Sequence, residues 1–124
     1  KEAIMDSYLT PFGNTQEEAL NNLIPIVNLA INAHVEGDYQ QFSSVCSKRF
    51  LSQVTQESFE LAYHQFQPQM GAFIAKTLVT IIKQRGQTVL VYIAKFSMTD
   101  DDVLIRIAFC KEGEVIKVDW MYIE

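Results

Sequence analysis

Near residue 75 the chain changes its hydrophobic period. Before that point apolar residues recur at steps of three and four. Beyond it "KTLVTIIKQ", "TVLVYIAKFS", "DVLIRIAFCK" and "VIKVDWMYI" are strand-like segments, rich in β-branched and aromatic side chains. Between them, "RGQ" and "KEGE" supply tight turns at Gly86 and Gly113, and "MTDDD" a slightly longer polar turn. Connections this short join antiparallel neighbours, because a parallel crossover needs a dozen or more residues. The C-terminal part is therefore a four-stranded antiparallel meander. The helical part must bury its apolar stripes against it, which gives an α+β layout of three N-terminal helices on one sheet face.

The helices carry their own punctuation. Residues 1–14 form a lead-in. Ile4, Met5, Tyr8 and Leu9 have helical spacing there, and Pro11 and Gly13 end it. Thr15 followed by Glu18 is a capping box. It opens a long helix with Leu20, Leu23, Ile24, Val27, Ala30, Ile31 and His34 on its apolar stripe. Pro25 lacks an N–H and predicts a kink near residues 21–25. Gly37 suits the left-handed closing position, and Asp38 with Gln41 starts a second helix running to about Ser47. "SKRFLSQV" reads as an irregular link. Thr55 caps a third helix with Phe59, Ala62, Tyr63 and Phe66 on its stripe, stopped by Pro68 and Gly71. With no linker or repeat, residues 15–124 make one domain.

Composition narrows the function classes. Of 124 residues 48% are hydrophobic, enough for one core without metal or disulfide. The net charge of −5 and the scattered basic residues argue against a nucleic-acid partner, which needs a cationic field. No stretch reaches the roughly 18 apolar residues of a membrane span. Cys46 and Cys110 have no metal-ligand spacing and read as two buried free thiols, with a disulfide between them left open. The chain begins at Lys1, which is compatible with a trimmed chain or with an exported mature domain. A cytoplasmic location is equally open.

Alternation assigns the sheet faces. Leu90, Tyr92, Ala94 and Phe96, then Val103, Ile105, Ile107 and Phe109, then Ile116, Val118, Trp120 and Tyr122 form the expected inner set. Val89, Val91, Ile93, Arg106, Cys110, Met121 and Ile123 fall on the outer face, which is too apolar for a solvated surface. The expectation is a homodimer packed sheet to sheet, with Val91, Ile93, Arg106 and Met121 at the contact.

The long first helix, the "EGDYQQF" junction, "SKRFLSQVTQESFE", "MGAF" and the closing "VIKVDWMYI" together make the chain resemble the nuclear-transport-factor-two-like (NTF2-like) superfamily. Within it the pattern is closest to small bacterial families of unknown function. The resemblance implies a curved, cystatin-like cone of sheet around the first helix. It also implies either a non-catalytic ligand-binding or dimerisation module, or an enzyme of the ketosteroid isomerase or SnoaL-like type. One fold hosting many functions is usual.

The catalytic members of that superfamily set a carboxylate or histidine base deep in the cone, opposite a donor. Here the expected inner face offers no Asp, Glu or His. Asp119 falls to the outer face, where Arg106 or Lys117 would pair with it. His34, on the apolar stripe near a helix C-terminus that favours the imidazolium, is the one acid/base candidate. Val27, Ile31, Tyr63, Tyr92, Trp120 and Tyr122 join it as expected pocket-lining residues around a small apolar molecule. His64 reads as a surface residue. His34, Glu36 and Asp38 lack a metal spacing, since residues two apart on a helix do not face each other. No cofactor, metal or nucleophilic motif is expected.

Overall fold

The computed structural model describes residues 10–124. After a single 3-10 turn, Thr10–Phe12, come the helices α1 (Gln16–Glu36), α2 (Tyr39–Val45), α3 (Lys48–Leu51) and α4 (Gln56–Met70). The strands β1 (Phe73–Gln84), β2 (Gln87–Phe96), β3 (Val103–Glu112) and β4 (Val115–Ile123) follow. They pair in chain order as one antiparallel sheet. The α+β class and the meander are as the period change dictates. Ile4, Met5, Tyr8 and Leu9 lie outside the described residues.

Each helix starts on a side-chain cap. Thr15 Oγ1 accepts from the Glu18 amide at 3.0 Å, and Asp38 Oδ1 accepts from the Gln41 amide at 3.1 Å. Thr55 Oγ1 accepts from the Ser58 amide at 3.1 Å. Such caps contribute about 1 kcal/mol each by satisfying amides that have no partner inside the helix.

The helical part departs from expectation in three places. Among the described residues there are four α-helices, because the link 47–54 contains α3, capped by Ser47 Oγ accepting from the Phe50 amide at 3.0 Å. α2 ends at Val45, since Cys46 bridges Val118 and the Ser47 amide donates to the Val118 carbonyl at 2.8 Å. That bond outcompetes a further helical turn. α4 runs through Pro68, an expected stop, to Met70, and α1 is one helix that contains Pro25. Tertiary burial of each amphipathic face offsets the lost amide bond.

The core lies between the helices and one sheet face. Leu23, Val27, Ala30 and Ile31 of α1 are fully buried with Leu90, Ile105, Ile107 and Phe109 of the sheet. The β2 and β3 inner sets are thus where alternation puts them. β4 is different. Ala108 pairs with Trp120, but Phe109 pairs with Val118, so Asp119 is an extra residue in β4. Such a bulge reverses the alternation beyond it. Trp120 and Tyr122 stand opposite Ala108 and Arg106 on the outer face, and Met121 and Ile123 stand opposite Ile107 and Ile105 on the inner one. The expected places of these four residues are exchanged. The outer face carries its own small cluster of Val89, Val91, Ala108 and Trp120, with Phe50, Ile82 and Leu104 packed on it. Guanidinium groups of Arg85 and Arg106 lie over the Trp120 ring, 5.0 and 5.7 Å from its centre.

Two glycines separate backbone strain from crowding. Gly37 closes α1 at φ 72°, and a Cβ there would lie 3.0 Å from the Tyr63 ring; Gly86 turns at φ 76° with nothing within 4 Å. Gly86→Ala should cost about 1 kcal/mol, the strain of a left-handed alanine. Gly37→Ala should cost more, because Tyr63 must also move. Urea unfolding of the two variants beside the parent chain checks the order.

Candidate functional site

A cleft of about 340 Å³ opens where the end of α1 meets α2, the α3–α4 link, α4 and the edge strand β4. That volume is at the lower end of ligand pockets. Rings of Phe42, Phe50 and Phe59 form much of its wall, with Val54, Ala62 and Met121. Trp120 and Tyr122 close the sheet side, and Gln53 and Ser58 are exposed polar residues on its wall. No Asp or Glu is among these lining residues.

His34 brings the one imidazole. It continues the buried line of Leu23, Val27, Ala30 and Ile31 along α1, one turn beyond the packed core. The Phe66 and Phe59 rings meet it edge to face, 5.2 and 6.0 Å between centres. Its Nδ1 is buried and has no hydrogen-bond partner. Burial without a counter-charge pushes its pKa down to about 4. The side chain is therefore neutral near pH 7. The attraction of the α1 C-terminus for an imidazolium is outweighed by the loss of hydration.

The cleft wall depends on a polar anchor beside it. Asp119 is 5% exposed, and its carboxylate accepts from Ser47 Oγ at 2.8 Å, from Gln87 Nε2 at 2.6 Å and from the Arg49 guanidinium. Burial alone would raise its pKa, but these donors outweigh it and hold the group ionised below its ordinary value. Asp119 thus pairs with Arg49, not with Arg106 or Lys117 as expected. Arg106 hydrogen-bonds Gln84 at 3.0 Å, and Lys117 donates to the Ser44 carbonyl at 2.9 Å. Gln87 Oε1 also accepts from Trp120 Nε1 at 2.8 Å, which fixes the indole. Tyr39 donates to the Val54 carbonyl at 3.0 Å, fixing the α3–α4 link.

Of the residues expected to line a pocket, His34, Trp120 and Tyr122 meet at this cleft. Trp120 and Tyr122 reach it from the outer side of the edge strand. Val27, Ile31 and Tyr92 are packed in the core. Tyr63 lies against Gly37. Of the expected dimer contacts, Val91, Ile93 and Arg106 are on the outer face, while Met121 is a cleft wall on the inner one. His64 is exposed.

The thiols are free. Cys46 sits in the main core, where burial pushes its pKa up to about 12; Cys110 on β3 is raised to about 11 by burial and by Asp119. Neither is a ready nucleophile. Among the described residues no three His, Cys, Asp or Glu side chains gather as metal ligands, and no helix is long and apolar enough to cross a membrane. A wider hollow of about 800 Å³ lies between the 3-10 turn, α1 and the β3–β4 turn. Its ionisable walls are exposed Glu18, Lys111 and Glu114 with Lys117. It offers solvated charge and no buried reactive group.

Sequence reasoning missed the anchor residues Ser47, Arg49 and Gln87 and the wall residue Phe50, and it did not place Phe42, Val54, Phe59, Ala62 or Met121 at a pocket. Ser47 carried a readable signal, as a serine three residues before a helical amide. Arg49, Phe50 and Gln87 are defined only by the bulge at Asp119. A comparison with protein-family models finds no match to the chain, and a comparison with curated proteins finds none either.

His34 makes stability depend on pH. In the fold it stays neutral down to about pH 4, whereas its ordinary pKa is 6.5. Between those values the unfolded chain binds more protons, so stability falls as pH drops through 6.5 towards 4. The full loss is on the order of 3 kcal/mol. Urea midpoints measured across that range should fall in the parent chain and fall less in His34→Phe.

Proposed function

We propose that this chain is a non-catalytic NTF2-like module that holds a small apolar molecule in the cleft at the end of α1. The neutral His34 in an aromatic wall without carboxylates carries this reading. Proton transfer near neutral pH works best with a group whose pKa is near the working pH. An imidazole that binds its proton only near pH 4 is a weak base, and no carboxylate lines the cleft beside it. This weighs against the isomerase, dehydratase or cyclase alternative, in which His34 would be the acid/base. Apolar walls with few polar groups are what binding of an uncharged molecule requires.

The test uses Trp120, the only tryptophan of the chain, as reporter. Naphthalene should change its fluorescence saturably in the parent chain. Ala62→Trp would fill the exposed mouth of the cleft and add a second indole, so binding there is read by calorimetry. Calorimetric heat of naphthalene binding should disappear in that variant while its urea midpoint stays within about 0.5 kcal/mol of the parent, as for surface substitutions generally. Binding that persists with the cleft filled would refute the assignment.

A second element of the proposal is a homodimer through the outer sheet face. Half-buried Ile93 and Leu104 give that face an apolar strip over the buried Val91, and Tyr122 beside it is 44% exposed. Tyrosine and arginine are the residue types that dominate binding energy at interfaces. Sedimentation of the parent chain should show a dimer that Ile93→Glu dissociates; a monomer at all concentrations would eliminate this element.

A further inference from the structure

The polar groups of the cleft can be sorted by what they already do. Trp120 Nε1 donates to Gln87 and is not free for a ligand. Ser58 Oγ donates to the Thr55 carbonyl at 3.1 Å. Gln53 and Tyr122 are exposed, so water competes for them. The phenylalanines, Val54, Ala62 and Met121 offer no hydrogen bond of ordinary strength. His34 is left as the polar group nearest the core side of the cleft.

Its two nitrogens are unlike. A neutral imidazole carries one proton. Nδ1 is sealed from solvent and partnerless, so Nε2 is the nitrogen left to meet a ligand. An orphaned buried N–H is rarer in proteins than an under-satisfied acceptor. The proton therefore belongs on Nε2, which leaves Nδ1 as the bare, buried nitrogen. The nitrogen that His34 can offer to the cleft it lines is then a donor.

Resting on the ligand-binding reading above, we infer that the cleft takes uncharged apolar molecules that present a single hydrogen-bond acceptor, such as a carbonyl or ester oxygen, to His34 Nε2–H. A pure hydrocarbon would leave that N–H unpaired on binding. A carboxylate would lose its hydration against a wall with no cation among its lining residues. A carbonyl oxygen matches the donor without adding charge.

The probe pair is 2-acetylnaphthalene and its near-isostere 2-isopropenylnaphthalene, followed by Trp120 fluorescence and calorimetry. Water solvates the ketone better, so burial alone favours the hydrocarbon. The ketone should nevertheless bind about fivefold more tightly, the worth of one neutral hydrogen bond. His34→Phe, which keeps an aromatic ring and removes both nitrogens, should reverse that preference, weakening the ketone and tightening the hydrocarbon, which no longer buries an unpaired N–H. Equal binding in the parent chain, or a ketone preference that survives in the variant, overturns the inference while ligand binding itself stands. Binding of neither probe removes the ligand-binding reading and this one with it. Imidazole nitrogen NMR of the parent chain tests the same point without a variant. Nε2 should be protonated and should shift on addition of the ketone; a proton on Nδ1 overturns the inference.

Discussion

The extra residue in β4 is the constraint on which the rest of the site depends. Had β4 kept strict pairing with β3, Trp120 and Tyr122 would have pointed into the core and Met121 away from it. The insertion of Asp119 reverses this. It places a carboxylate where Ser47, Arg49 and Gln87 converge on it. A buried carboxylate is tolerable only when its lone pairs are filled. Filling them draws α3 against the edge of the sheet. Phe50, carried on α3, then serves both the outer cluster and the cleft wall. One local irregularity thus sets strand facing, helix docking and cleft shape together.

His34 is the other half of the site, and its character comes from burial. At a solvated helix end it would be half-protonated near pH 6.5 and drawn towards the terminal carbonyls. Between Phe59 and Phe66 it loses that hydration and finds no carboxylate to replace it. The same residue that looks like an acid/base in the chain becomes, in the fold, a neutral polar group on an apolar wall. That change of character is the observation on which the ligand-binding proposal rests.

Much of the architecture was legible in the residue order. Thr15, Asp38 and Thr55 marked helix starts because short side-chain oxygens complete free amides. Gly37 and Gly71 marked helix ends. The inner sets of β2 and β3 followed from alternation because those strands pair with one another without interruption. Pro68 misled, since it sits inside a helix that tertiary packing keeps intact to Met70. For the candidate site, His34 was singled out as the polar residue on the apolar stripe of α1, and it lies between the Phe59 and Phe66 rings. Tyr92 was expected beside it and is instead packed in the core.

By itself, then, the sequence determined the class of the fold, the antiparallel order of its strands and the buried face of α1. These follow from local periods, caps and turn lengths that each read off a few neighbouring residues. The facing of Trp120, Tyr122 and Met121, the partners of Asp119 and the protonation of His34 were decided by tertiary structure alone. A bulge shifts alternation without leaving a mark in composition. An ion pair between residues seventy positions apart has no local signature. A pKa depends on how much water a neighbour's ring displaces, and that neighbour, Phe66, comes from a different helix.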